Sequence, residues 1–154
     1  MENKATETKA VIAALLSVIA AKLGWKGVLA LIWAGTMALD YISGTVAAIK
    51  SKQWSSETAR DGLYHKGGMI LVVACATMAD VMFSIAFQRF PEIGFEWPGA
   101  IMPIVLVWYI LTETGSVLEN AERMGAPVPS WLTKMLKQSL RVVDNKIEKD
   151  QKNE

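Results

Sequence analysis

The chain has 154 residues, a net charge of +1 at neutral pH, 52% hydrophobic residues and a mean hydropathy of +0.27. It is too apolar for an ordinary soluble domain and too short for several domains. So small a charge, with no basic stripe interleaved with aromatics, argues against a nucleic-acid partner. Cys75 is the single cysteine, so an internal disulfide is excluded.

Residues 10–21 form a short apolar run between Lys9 and Lys22, followed by the turn signal Gly24-Trp25-Lys26-Gly27. At ~1.5 Å per residue this run covers about 18 Å, short of the ~30 Å hydrocarbon core of a bilayer. We read it as an interfacial or shallowly inserted helix that leaves the N-terminus outside. One alternative is a signal peptide, whose Lys-bearing start, apolar core and small pair Ala20-Ala21 it shares, although Glu2 and Glu7 oppose it. The other is a short, tilted fourth span, which places the N-terminus inside.

The stretches 28–49, 67–87 and 98–118 each approach the ~20 apolar residues that a membrane-crossing helix needs. Helices are required there, because backbone polar groups in hydrocarbon must be satisfied within the segment. None contains Lys or Arg, yet each contains a carboxylate: Asp40, Asp80 and Glu113 respectively. An ionisable group at such depth costs about 2.5–3.5 kcal/mol on insertion scales, so each acid needs a partner, water or a task. The fold expected is an all-α integral membrane protein with three transmembrane helices, the N-terminal interfacial helix and a C-terminal amphipathic helix.

Charge orients the spans. Lys50, Lys52, Arg60 and Lys66, with His65, are expected in a cytoplasmic loop over 50–66. Segment 88–97 carries Arg89 against Glu92 and Glu96, is broken by Pro91, Gly94 and the following Pro98, and is expected outside. Arg123, Lys134, Lys137 and Arg141 return the chain to the cytoplasm, with Trp97 and Trp108 available for the interfaces. Gly67-Gly68 is expected to open the second span.

Pro127 and Pro129 are expected to stop the third helix and Ser130 to cap a fourth over 130–150. Leu132, Leu136, Leu140, Val143 and Ile147 recur there at helical spacing opposite a basic face, which suits a membrane surface or a partner helix. Glu148–Glu154 reads as a charged, unstructured tail. This divides the chain into a transmembrane module over 1–132 and an amphipathic helix with its tail over 133–154.

Polar and small residues recur on one face of each span. Thr36, Asp40 and Gly44, with Ser43, mark the first; Thr77, Asp80 and Ser84, continued by Gln88, the second; Tyr109, Glu113, Ser116 and Asn120 the third. Such faces let transmembrane helices approach closely and hydrogen-bond, so these are the oligomerisation or pore-lining candidates. The alternative is that the acids are packed, protonated or paired, with no transport role. Counting inward from Lys50, Lys66 and Glu119 gives depths of about 15, 21 and 9 Å for Asp40, Asp80 and Glu113, a distributed lining rather than one selective ring. Catalysis, cofactors and metals find no support: His65 stands alone beside Lys66, Cys75 is expected as inert packing, and no ligand cluster or phosphate-binding loop is present.

Leu39-Asp40-Tyr41-Ile42-Ser43-Gly44, then Ser55-Ser56, Gly62-Leu63 and Lys66-Gly67, form one recognisable series. Tyr109-Ile110-Leu111-Thr112-Glu113, Ser116-Val117-Leu118-Glu119-Asn120, Met124-Gly125-Ala126-Pro127-Val128-Pro129 and Leu132 form a second, more specific one. In order and spacing over about 39–132 the chain resembles the phage holin family that includes toxin-secretion and lysis holins of Gram-positive bacteria and their phages. Thr114-Gly115 is less regular than that pattern, and 1–26 lies in the family's variable part. The resemblance implies a non-enzymatic protein of the bacterial host's cytoplasmic membrane. It implies a homo-oligomer in the lipid bilayer that makes lesions and gives a cell-wall hydrolase (endolysin) access to peptidoglycan, with an antiholin as a further candidate partner. A holin-like channel that exports a toxin or other protein without lysis is the alternative, and a membrane scaffold a more distant one.

Overall fold

The computed structural model describes the backbone of residues 2–152 and the side chains of residues 24–143. It is all helical. Helix α1 runs Glu2–Lys50, α2 Ser56–Arg89, α3 Ile101–Arg123 and α4 Ser130–Lys152, with one 3-10 turn at Pro91–Ile93. Gly24 breaks α1 with a non-helical backbone (φ 64°, ψ 178°), where the sequence placed a turn. Gly24–Lys50, Ser56–Arg89 and Ile101–Arg123 are long and apolar enough to cross a membrane. The interfacial, signal-peptide and fourth-span readings of the N-terminus turn on side chains outside the described residues.

The ends of these helices follow from local chemistry. Ser55 caps the start of α2, its Oγ accepting the Thr58 amide at 3.1 Å, so the loop is only 51–55 and not 50–66. Gly67 and Gly68 accordingly lie inside α2 instead of opening it. Helix α3 starts at Ile101, three residues later than expected, because Pro98 and the left-handed Gly99 (φ 64°) precede it. It ends in a Schellman motif: Gly125 (φ 90°) donates to the Glu122 carbonyl at 2.8 Å and Ala126 to the Ala121 carbonyl at 3.0 Å. The prolines at 127 and 129 therefore follow a helix already closed. Lys52 (φ 56°) and Gln53 close α1 in the same way on the Ile49 and Ala48 carbonyls. Ser130 is the first residue of α4 rather than its cap, and α4 continues past Glu148 to Lys152 through residues of good helix propensity, so no tail begins at 148.

Helix α3 is the centre of the bundle. It packs along α1, less closely along α2 and against α4, whereas α1 and α2 barely touch each other. Each span gives one residue to the buried apolar cluster: Trp33, Met69 and Leu106, flanked by Met37, Val73, Met102 and Ile110. Trp33 also stacks on Tyr109 at 6.0 Å between ring centroids. Most other large apolar side chains point outward, including Leu39, Ile42, Leu71, Met78 and Ile85. In water so much apolar surface would drive aggregation; against lipid tails it is the matching solvent.

Candidate functional site

Two buried acid sites lie at opposite ends of the bundle. At the end shared by the C-termini of α1 and α3 and the N-terminus of α2, the Lys66 ammonium donates to Asp40 Oδ2 at 3.0 Å and also to Glu113 Oε2. The other Asp40 oxygen, Oδ1, accepts from Asn120 Nδ2 at 3.0 Å, and the same amide reaches Ser43 Oγ at 3.2 Å. Gly44 faces the same amide: a Cβ there would stand in ordinary contact, 3.4 Å from Asn120 Nδ2. One lysine thus joins all three spans. Glu113 and Asn120 are buried and Asp40 is half-buried.

Lys66 is the residue the sequence placed in the wrong environment. It lies ten residues inside α2 and not in a cytoplasmic loop. The expected stagger of Asp40 and Glu113 disappears for a related reason. Helix α3 runs on to Arg123, so Glu113 stands ten residues from its helix end, as Asp40 does from Lys50. At ~1.5 Å per residue both acids are about 15 Å in, level enough to share one ammonium. The network is formally one negative charge in excess, because two carboxylates face one lysine. Leaving a buried carboxylate without a partner costs several kcal/mol, which gives Lys66 a strong hold on both.

At the other end Asp80 has a different task. Its carboxylate accepts from Trp97 Nε1 at 2.9 Å, from the Ile101 amide at 3.0 Å and from the Met102 amide at 2.9 Å. Ala100 gives α3 no side-chain cap, so an acid from α2 caps the helix instead. The next residue, Pro103, has no amide hydrogen, and the Ile104 amide already bonds to the Ala100 carbonyl, so every early donor of α3 is accounted for. Lys26 completes this end by donating to the Gly99 carbonyl at 2.8 Å. Trp97 also packs against Phe83 and Phe95, at ring-centroid distances of 5.0 and 6.3 Å.

The remaining candidates do not converge. Thr36, Thr77 and Ser116 each bond back to a carbonyl of their own helix, Trp33, Val73 and Thr112 respectively. Ser84 accepts from Gln88 within α2. Tyr109 belongs with the apolar cluster rather than with Glu113. Thus the polar faces of α1 and α3 meet through Asp40, Ser43, Gly44, Glu113 and Asn120, whereas the marked face of α2 contributes only Asp80, at the far end. Lys66 and Lys26 were missed because both stand next to an apolar stretch rather than in it. The signal available was arithmetic: acids inside apolar helices call for the nearest base.

Three apolar helices joined by internal polar contacts, with their apolar side chains turned outward, define a multi-pass membrane protein. The chain belongs to the bacteriophage holin family, whose pattern it matches over residues 17–140. That family consists of membrane proteins without enzymatic activity. An uncharacterized protein of Clostridium perfringens is 30% identical over 100 residues, 65% of this chain and 66% of that one. An uncharacterized protein of Halalkalibacterium halodurans is 34% identical over 105 residues, covering 68% and 70%. The holin-like protein TcdE of Clostridioides difficile is 28% identical over 108 residues, covering 63% and 61%. No solved structure matches the chain.

Proposed function

We propose that the protein assembles as a homo-oligomer in the cytoplasmic membrane of a bacterial host and opens lesions through which a cell-wall hydrolase reaches peptidoglycan. The single observation that carries this reading, beyond family membership, is the Lys66 network. It keeps the strongest polar groups of α1 and α3 turned inward, while α2, which barely contacts α1, is tied to it by that one ammonium. In a crowded membrane the carboxylates of one protomer become available to the Lys66 of another. Exchanging partners leaves the number of ion pairs unchanged, so a closed bundle and an open assembly lie near in energy and the change is switch-like. The polar faces then meet water instead of each other. Asp40, Ser43, Gly44, Glu113 and Asn120 are the residues we assign to this lining or to the helix contacts around it. The cluster of Lys50, Lys52 and Arg60 supports a cytoplasmic position for loop 51–55.

The test is expression in a bacterium. Growth should stop abruptly after a delay, an uncoupler should bring the stop forward, and a co-expressed cytoplasmic wall hydrolase should turn arrest into lysis. Leakage of small ions with the hydrolase retained would argue for a narrow channel. Release of protein without loss of viability would select export instead of lysis. No leakage at confirmed membrane levels would leave a scaffold. Orientation is checked in a Cys75→Ser background: a cysteine at Ser55 should label from the cytoplasm and one at Gly94 from outside.

A further inference from the structure

A cavity of about 540 Å³ opens beside the Lys66 network, between α1 and α2 and over α3. It runs from Asp40 and Lys66 out to Gln53, Trp54 and Ser55 in the loop that joins α1 and α2, two helices that barely touch each other. Its walls carry both signs of charge: Asp40 and Glu119 against Lys66 and Arg123. Lys66 is already divided between Asp40 and Glu113, so the inner wall is formally short of one positive charge. The side chains of Arg123 and Glu119, by contrast, make no hydrogen bond or ion pair among the described residues. Tyr41 and Trp54 add two aromatic side chains to the wall, the residues on which an ammonium group rests most favourably.

We propose that this cavity binds the zwitterionic headgroup of an aminophospholipid, a phosphate joined to a primary amine by a two-carbon link. The amine sits toward Asp40, where negative charge is in excess, and the phosphate toward Arg123, whose guanidinium matches phosphate oxygens two at a time. Asp40, the Asn120 amide that bonds it, and Arg123, three residues beyond Asn120 on α3, all line this one cavity. A purely anionic headgroup would meet the excess carboxylate without compensation, and an inorganic cation would leave Arg123 unused. The assignment requires that the helices cross a membrane but not that they open a hole.

The test uses the full chain purified in detergent and exchanged into bilayers holding equal amounts of phosphatidylethanolamine and phosphatidylglycerol with identical acyl chains. Lipid retained after re-extraction is counted by mass spectrometry. The expected result is at least a tenfold preference for phosphatidylethanolamine, lost in an Arg123→Ala/Trp54→Ala variant whose helicity and extraction are unchanged. Soluble O-phosphoethanolamine, but not glycerol phosphate, should displace the lipid; displacement at micromolar concentration would assign the site to the free compound rather than to the bilayer and so overturn a lipid occupant. Equal retention of both lipids by the native chain, or a preference that survives the double variant, also overturns the proposal. Because this readout involves no lysis, its failure leaves the holin reading standing, and failure of the lysis assay leaves the headgroup site standing.

Discussion

Asp80, buried, and Asp40, half-buried, are the same residue in the same kind of apolar helix, yet their carboxylates are satisfied in different ways. Asp80 accepts three N–H groups supplied by Trp97 and the start of α3, all within about twenty positions of it in sequence. Asp40 depends on Lys66 and on Asn120, which lies 80 positions away. Fixed backbone donors have no other arrangement to move to, so the Asp80 end is a joint. A lysine shared by two carboxylates has equivalent partners wherever a second copy of the chain approaches, so the Asp40 end is suited to rearrangement. The comparison teaches that a buried acid inside a membrane helix is not by itself a functional mark. What distinguishes the two sites is whether the partner is local and static or distant and exchangeable.

The largest effect is expected from Lys66→Met, which leaves Asp40 and Glu113 facing each other with no base. Removing one partner of a buried pair costs about 3–5 kcal/mol, so the variant should unfold far earlier in a denaturant titration followed by helicity. Adding Asp40→Asn and Glu113→Gln to it should recover most of the loss. Failure of that rescue would mean that Lys66 acts through packing and not charge. Asp80→Asn comes next, with a loss of about 2 kcal/mol, since an amide keeps one acceptor for three donors and turns its own N–H groups toward theirs. The comparison requires that this variant lower stability and accumulation while leaving the arrest time at matched membrane levels unchanged.

Gly99→Ala should weaken the same joint by about 1–2 kcal/mol, because the residue is left-handed and its Cβ would collide with the Lys26 ammonium. A shift in the denaturation midpoint measures it, and a larger shift for Ala at Gly67, which has open space around it, would contradict the assignment. The smallest effect belongs to Lys52→Gly, which should stabilise the end of α1 by up to about 1 kcal/mol by relieving a left-handed lysine.

How far the sequence could be read depended on which signals are local. Apolar length marked the three spans, and the repeat of Leu132, Leu136 and Leu140 marked α4, because both are properties of a single helix. Capping decided where α2 begins, at Ser55, and where α3 ends, at Gly125, whereas charge had been used to place both ends. That one choice moved Lys66 into a loop and set Glu113 at the wrong depth. Asp40, Ser43, Gly44, Glu113 and Asn120 were identified from face periodicity as oligomerisation or pore-lining candidates, and within the chain they lie where α1 and α3 meet, Glu113 through Lys66. The separation of Asp80 from that group was legible in part, as its greater depth of about 21 Å counted from Lys66. Its capping of α3 was not, because only the placement of Pro98, Gly99 and Pro103 against α2 reveals it.

The most direct measurement is the time from induction to growth arrest for Glu113→Gln, compared with the native chain at equal membrane levels and with a wall hydrolase co-expressed. Removing one carboxylate leaves Lys66 and Asp40 as a balanced pair, so the closed bundle holds its charges without excess and has less to gain from a neighbour. The account predicts that arrest and hydrolase release come distinctly later, with Asp80→Asn unshifted beside it. Arrest at the native time in Glu113→Gln, or an equal delay in Asp80→Asn, would contradict the claim that the Lys66 network is the part of the molecule that switches.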